Sequence, residues 1–326
     1  MPSGLRSFLA LLVLLLGLAG KAFGEDGKIR VLTSIPPLYC WAVNVAGDLA
    51  TVENLLPADV GPHDYQFKPK DLKRLQAADL IVLNGLGLEE WFTRAIQANA
   101  MDAERKVIHI ADGLLETNLI FHLPTLELDP GKPGKEQGHE HDHGPRTRDS
   151  GPGTDHDLAN PHLWQDPQLA MHGVTNILLA LQRIDPALAA GYQRNATAYL
   201  SRLAALDTEI RQAVAGFSSR TVVTYHDAFP YFCRRYGIDL AGVIEQVPGS
   251  DPSPRYLAEL LKVIRARKVK VIFTEPQFNP RLAKRLADDL GIAVAELDVL
   301  ETGALSPDSY EDGLRRNLRV LQQYLK

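Results

Sequence analysis

The sequence predicts an α/β protein of two doubly wound, parallel-sheet lobes joined by a long backbone helix. Three observations predict it. Short apolar, β-branched runs alternate with helix-period segments on both sides of the chain's middle, the pattern of βαβ units. The middle itself carries one apolar stripe, Tyr192, Ala196, Tyr199, Leu203, Leu206, Ile210, Val214 and Phe217, at steps of three and four, which is one face of a single helix. And 326 residues, 45% apolar and 23% charged, suffice for two cores.

In chain order, Ile29–Thr33 reads as a buried strand, broken by Ser34-Ile35-Pro36-Pro37, and Leu38–Gly47 as a helix. Thr51–Leu56 is a second strand. The turn-rich stretch Gly61-Pro62-His63-Asp64-Tyr65 follows it. Lys68-Pro69-Lys70-Asp71 then opens a helix with Leu72, Leu75 and Ala78 at helical spacing. Leu80–Leu83 is a third strand, Glu89–Ala98 a helix and Lys106–Ile110 a fourth strand. Residues 124–160 lose all periodicity to Pro, Gly and charge, and contain Gly138-His139-Glu140-His141-Asp142-His143-Gly144. Such a segment cannot bury a core and is expected as a loop.

A helix is expected over Gln168–Arg183. Asp185-Pro186 then supplies an N-cap and a first-turn proline for the backbone helix, residues 185–218. About 30 residues at ~1.5 Å each span roughly 45 Å, enough for a rigid spine. Alternation then resumes with strands at Thr221–Tyr225, Leu240–Glu245, Val269–Thr274 and Ile292–Leu297. Helices are expected at Ala228–Tyr236, Pro254–Arg267, Pro280–Leu290 and Ser306–Leu325. The lobes are therefore residues 25–184 and 219–326.

The N-terminus sets the expected compartment. Arg6, an apolar run from Phe8 to Gly20 and Ala22-Phe23-Gly24 before Glu25 predict a secretory signal peptide, residues 1–24, cleaved after Gly24. A membrane anchor is the alternative, but a span needs about 20 apolar residues. No cysteine begins the expected mature chain, so no lipid anchor is expected there. The formal charge is −5, and losing Arg6 and Lys21 makes the remainder more acidic still. Nucleic acid, which selects basic surfaces, is not an expected partner. An exported chain could pair its two cysteines, Cys40 and Cys233; the sequence leaves this open.

Ligands of open parallel sheets bind beyond the carboxyl ends of strands. His226, Glu275 and Asp298 each lie directly past a predicted strand, and His63 a short loop past another. His162 lies on the entry to a helix. These positions come from both lobes and can meet in the cleft between them. Three imidazoles and one carboxylate, His63, His162, His226 and Asp298, make a four-coordinate set that suits zinc, whereas manganese favours more oxygen. A ligating imidazole usually donates its other N–H to an acid or carbonyl, and Asp64, Asp166 and Asp227 are the sequence-near candidates. Glu275 is open between ligand, acceptor behind a ligand and helix-capping acid. His109, inside an apolar strand, and His172, on a helix, read as structural. His139, His141 and His143 are either solvated linker residues or a weak auxiliary metal trap. An exported zinc hydrolase would need an open coordination position and a base such as Glu275. Neither His-Glu-x-x-His nor Gly-x-Ser-x-Gly is present, so no enzyme is expected.

Four motifs, in order, carry a resemblance. Pro62-His63-Asp64-Tyr65 resembles a Pro-His-x-Tyr ligand motif. Asn160-Pro161-His162-Leu163-Trp164-Gln165-Asp166-Pro167 is similar to Asp-Pro-His-x-Trp-x-Asp-Pro. Thr224-Tyr225-His226-Asp227-Ala228-Phe229-Pro230-Tyr231 and Phe273-Thr274-Glu275-Pro276-Gln277 resemble the two that follow. The whole resembles the zinc and manganese substrate-binding proteins of bacterial ABC importers, the cluster A-I type, over about residues 28–326. The resemblance implies His63, His162 and His226 as ligands, with Asp298 at the acidic fourth position. His226, where the manganese branch typically has Glu, implies zinc, as does the histidine-rich insertion; manganese or ferrous iron is the alternative cargo. The chain departs from the family after the last strand, with Asp298-Val299-Leu300-Glu301, which keeps Glu301 and Glu275 as reserve ligands. The resemblance also implies a periplasmic monomer that hands Zn2+ to an inner-membrane permease, with a dedicated periplasmic zinc chaperone left open.

Overall fold

A computed structural model describes residues 27–99, 106–115, 117–122, 159–246 and 251–326. The expected signal peptide, residues 1–24, and the histidine-rich stretch with His139, His141 and His143 lie outside the described residues.

Two four-stranded sheets, both all-parallel, form the described lobes. In the first, β1 (Ile29–Thr33), β2 (Ala50–Asn54), β3 (Leu80–Leu83) and β4 (Val107–His109) lie in the order β2-β1-β3-β4. In the second, β5 (Thr221–His226), β6 (Asp239–Glu245), β7 (Val271–Thr274) and β8 (Ala293–Glu296) lie in the same relative order, β6-β5-β7-β8. Helices α1 (Pro36–Ala46), α2 (Pro69–Ala77) and α3 (Glu90–Ala98) belong to the first lobe, and α6 (Pro230–Tyr236), α7 (Pro254–Ala266), α8 (Arg281–Leu290) and α9 (Ser309–Leu325) to the second. Between them run α4 (Pro167–Ile184) and α5 (Ala189–Ala215).

Several boundaries differ from the sequence reading by a few residues, and two of the differences turn on prolines. β1 ends at Thr33 as expected, but Pro36 and Pro37, expected before the helix, already form the first turn of α1. A proline in the first turn lacks only an N–H that has no intrahelical partner there. At Asp185-Pro186 the proline instead opens a short 3-10 turn, Pro186–Leu188, and α5 begins at Ala189. Asp185 makes no side-chain cap; its carboxylate accepts from the Tyr192 hydroxyl at 3.3 Å.

The 27 residues of α5 span about 40 Å. Its inner face is the predicted stripe: Tyr192, Ala196, Tyr199, Leu203, Leu206, Ile210 and Val214 are all fully buried, and Phe217 is buried just beyond the helix. Expectation and structure part over the core. One continuous apolar cluster runs from β1 through α1, α4, α5 and α9 into the second sheet, and only the outer face under α7 and α8 forms a separate one. The lobes are thus fused along their backs. Trp41 of α1 meets Tyr310 of α9 edge-on at 5.4 Å. Tyr310 donates to the Trp164 carbonyl at 2.7 Å, and Tyr199 donates to Glu311 at 3.1 Å. Opening the lobes widely would expose this shared core to water, which apolar surface opposes.

The cysteines are free and buried. Cys40 Sγ lies against the Pro307 carbonyl at 2.9 Å, and burial pushes its thiol up to about 11. Cys233 sits in α6, where burial likewise raises it. The pairing left open by the sequence does not occur here. No described helix is long and apolar enough to cross a membrane.

Candidate metal centre

His63 stands in a 3-10 turn, Pro62–Asp64, after β2. Its loop is tied down two residues later. Tyr65 donates to Asp71 of α2 at 2.6 Å and meets Trp91 of α3 edge-on at 4.8 Å. The His63 side chain is 29% exposed.

His162 is buried, and its loop is held on both sides. Nδ1 lies 2.9 Å from Asn160 Oδ1, which also accepts the His162 backbone N–H at 3.1 Å. The Asn160 amide donates in turn to the Asp227 carbonyl at 2.7 Å. Asn84, just past β3, donates to the Pro161 carbonyl at 2.9 Å. His226 is the last residue of β5 rather than the first beyond it. Its Nδ1 lies 2.5 Å from Glu275 Oε2, and its backbone N–H donates to Glu275 Oε1 at 3.2 Å. Glu275, just past β7, therefore lies as an acceptor behind His226, not among the inward-facing atoms.

The Asn160 and Glu275 oxygens accept only, so both Nδ1 atoms carry hydrogen and both Nε2 atoms face inward. They face each other at 3.2 Å. Glu301 completes the group: Oε1 lies 3.3 Å from His162 Nε2 and 3.6 Å from His63 Nε2. Ligand atoms of His63, His162, His226 and Glu301 all lie within 4.8 Å of one another. Glu301 Oε1 is buried with no hydrogen-bond partner, and a buried unpaired acceptor is costly. Two opposed lone pairs and an orphaned carboxylate oxygen need a positive charge among them. Three nitrogens and one oxygen fit a tetrahedral zinc-type set.

The electrostatics agree. Burial pushes His162 down to about 4, so its ring is neutral. Burial also depresses His226, but the Glu275 carboxylate outweighs it and raises the ring to about 9. Without a metal, at neutral pH, a proton on His226 Nε2 therefore supplies the charge that His162 Nε2 faces.

Asp298, the expected fourth position, is not in the group. Its Oδ1 accepts the Leu300 N–H at 2.8 Å, and Oδ2 lies 3.4 Å from Arg316. Asn317 holds its main chain on both sides, at 2.8 and 2.7 Å. A short side chain that bonds its own backbone two residues on makes a local turn instead of reaching outward. That turn places Leu300 at φ +68° and sends the reserve candidate, Glu301, to the histidines. The next carbonyl, Val299, accepts from Trp164 at 2.7 Å and Gln165 at 2.6 Å, locking the turn to the His162 segment.

Of the expected acids behind the histidines, Asp166 acts elsewhere. Asp166 caps α4 through the Gln168 N–H and pairs with Arg235, both at 2.8 Å. Asp227 contributes its main-chain carbonyl to Asn160. The Asp64 side chain lies outside the described set. His109 and His172 are structural, as expected: His109 pairs with Asp112, and His172 Nε2 lies 2.7 Å from the Asp112 carbonyl. Asn160 was missed as the holder of His162, although an Asx residue two positions ahead was the available signal.

The Glu301 turn rests on α9. A Cβ added at Gly313 would stand 2.3 Å from Leu300 Cδ2. Gly313→Ala is expected to lower stability by about 1–3 kcal/mol through overpacking, read as an earlier urea midpoint with an unchanged slope.

Known proteins share this arrangement of lobes. The family model for zinc-uptake complex component A, periplasmic, ZnuA, matches residues 31–324. The chain is 29% identical over 303 residues to the zinc-binding lipoprotein AdcA of Streptococcus pneumoniae, covering 91% of this chain but 56% of that protein. It thus spans little more than half the length of such curated relatives. It is 28% identical over 312 residues to the high-affinity zinc uptake system protein ZnuA of Bacillus subtilis, covering 94% and 90%. It is 30% identical over 266 residues to the iron-binding protein YfeA of Yersinia pestis, covering 81% and 75%. Among solved structures, a Zn(II)-bound AdcAII variant of Streptococcus pneumoniae superposes with a TM-score of 0.73 at 26% identity, covering 92% and 99%. FpvC of Pseudomonas aeruginosa, in complex with Mn2+, does so at 0.71 and 26%, covering 91% and 97%. With the family model running through both lobes and every residue of the described centre, the chain belongs to the ZnuA family, that of the periplasmic component A of zinc-uptake complexes.

Proposed function

We propose that the protein captures Zn2+ through His63, His162, His226 and Glu301 and delivers it to an ABC permease in the inner membrane. It works in the periplasm, as a monomer, and performs no chemistry on its cargo. The convergence of three imidazoles and one buried carboxylate carries this reading. Zinc favours that nitrogen-rich, four-donor set, while manganese favours more oxygens and higher coordination. Relatives named for zinc support the cargo; a relative named for iron and a neighbour holding Mn2+ make those ions the competitors to test. A hydrolase is disfavoured because Glu275, the candidate base, is engaged by His226.

Metal analysis with a competition titration tests the reading. One zinc per chain is expected, undisplaced by equimolar Mn2+ or Fe2+. Displacement by either would reassign the cargo, and no bound metal would sink the proposal. The shared core opposes wide lobe opening, so release proceeds by movement of the ligand loops, with the partly exposed His63 as the solvent-side ligand.

Glu275→Gln is expected to weaken zinc binding about 10–100-fold, the usual cost of losing a carboxylate behind a ligating histidine. Wild type should release about one proton per zinc at pH 7, because the metal replaces the proton held by His226. Calorimetry in buffers of different ionisation enthalpy reads both, and that release should fall away in the variant.

A further inference from the structure

Phe278 has no role in the ligand set, yet its ring lies against a ligand. It follows Glu275 by three residues, and its backbone N–H donates to the Glu275 carbonyl at 3.2 Å, closing a tight turn after β7. The ring sits tilted on His226 at 5.3 Å between centroids and stacks on Tyr225 at 5.0 Å. Gln277, between them in sequence, donates to Glu275 Oε2 at 3.2 Å. Three side chains of this turn thus bear on one imidazole: Glu275 directly, Gln277 through Glu275, and Phe278 through its face.

A single hydrogen bond at Nδ1 fixes one corner of an imidazole and leaves the ring free to tilt about it. A packed aromatic face removes that freedom and keeps water from the bond, where a low local dielectric strengthens it. The two devices therefore work as one clamp. His226 is 1% exposed and Glu275 0%, whereas Phe278 is half-buried and Gln277 exposed, so these two stand between the pair and solvent.

We propose that Phe278 is a positioning residue for the metal centre, acting through His226 on the same bond that Glu275 makes. This deepens the zinc-capture reading and rests on it. The bond is of value to the metal only while the ring is held, so losing either member forfeits most of what the other contributes.

A double-mutant cycle in zinc dissociation rate, measured by stopped-flow against excess chelator, tests this on the full chain. Phe278→Ala should release zinc about tenfold faster with one zinc still bound per chain, and an unchanged apo melting temperature should show that the fold is intact. Phe278→Leu, which restores apolar cover, should recover most of the wild-type rate. Phe278→Ala combined with Glu275→Gln should be no faster than Glu275→Gln alone. Multiplying effects, or a Phe278→Ala rate equal to wild type, would overturn the proposal. A merely structural role would lower the apo melting temperature and show no such coupling. Loss of zinc binding by the wild type would instead defeat the underlying reading, so the two failures are distinguishable.

Discussion

Glu301→Gln is expected to lower zinc affinity by roughly two to three orders of magnitude, with Asp298→Asn costing far less. Structural zinc sites bind with about 10–16 kcal/mol, or roughly 3–4 kcal/mol for each of four ligands, and about 1.4 kcal/mol is a factor of ten. A neutral amide keeps the shape of Glu301 but removes the negative charge that lies 3.3 Å from His162 Nε2 and 3.6 Å from His63 Nε2. Asn at 298 can still accept the Leu300 N–H, so the turn that aims Glu301 survives. Chelator competition on both variants is the measurement. Equal losses would return the fourth position to Asp298, and no loss at Glu301 would remove it from the ligand set.

Zinc saturation is expected to raise the melting temperature by roughly 10 °C. A ligand at a thousand times its dissociation constant stabilises by about 4 kcal/mol, and each kcal/mol is worth roughly 2–4 °C in a chain approaching this size. The gain has a visible cause: Glu301 Oε1 is buried without a hydrogen bond, and a cation satisfies it. The gain should shrink in acid. His226 is raised to about 9 in the metal-free site, so below that pH a bound proton must leave before zinc binds. Affinity is therefore expected to rise with pH up to about 9 and to fall about tenfold per unit below it. Calorimetric scans with zinc and with chelator, at several pH values, read both effects. A melting temperature indifferent to zinc would count against the site.

Much of this was readable along the chain. Alternation of apolar runs with helical spacing delivered two parallel α/β lobes, and the α5 stripe appeared residue by residue because burial on one helix face leaves a period of 3.6. His63, His162 and His226 stood out because turn residues and strand ends flank them. The carboxylate that lies with them did not. Asp298 and Glu301 are both acids shortly after β8, and linear order favours the nearer. The choice was made by a bond from Leu300 back to Asp298 and by Asn317 gripping the loop from α9.

Sequence by itself determined the secondary elements, the lobed architecture and the three imidazoles, since each leaves a local or periodic signature. Tertiary structure alone decided that the lobes share one core, that Glu301 rather than Asp298 lies with the three imidazoles, and that Glu275 reaches His226. Those outcomes depend on contacts between segments tens to hundreds of residues apart, and on where a turn points a side chain, neither of which spacing along a chain can encode.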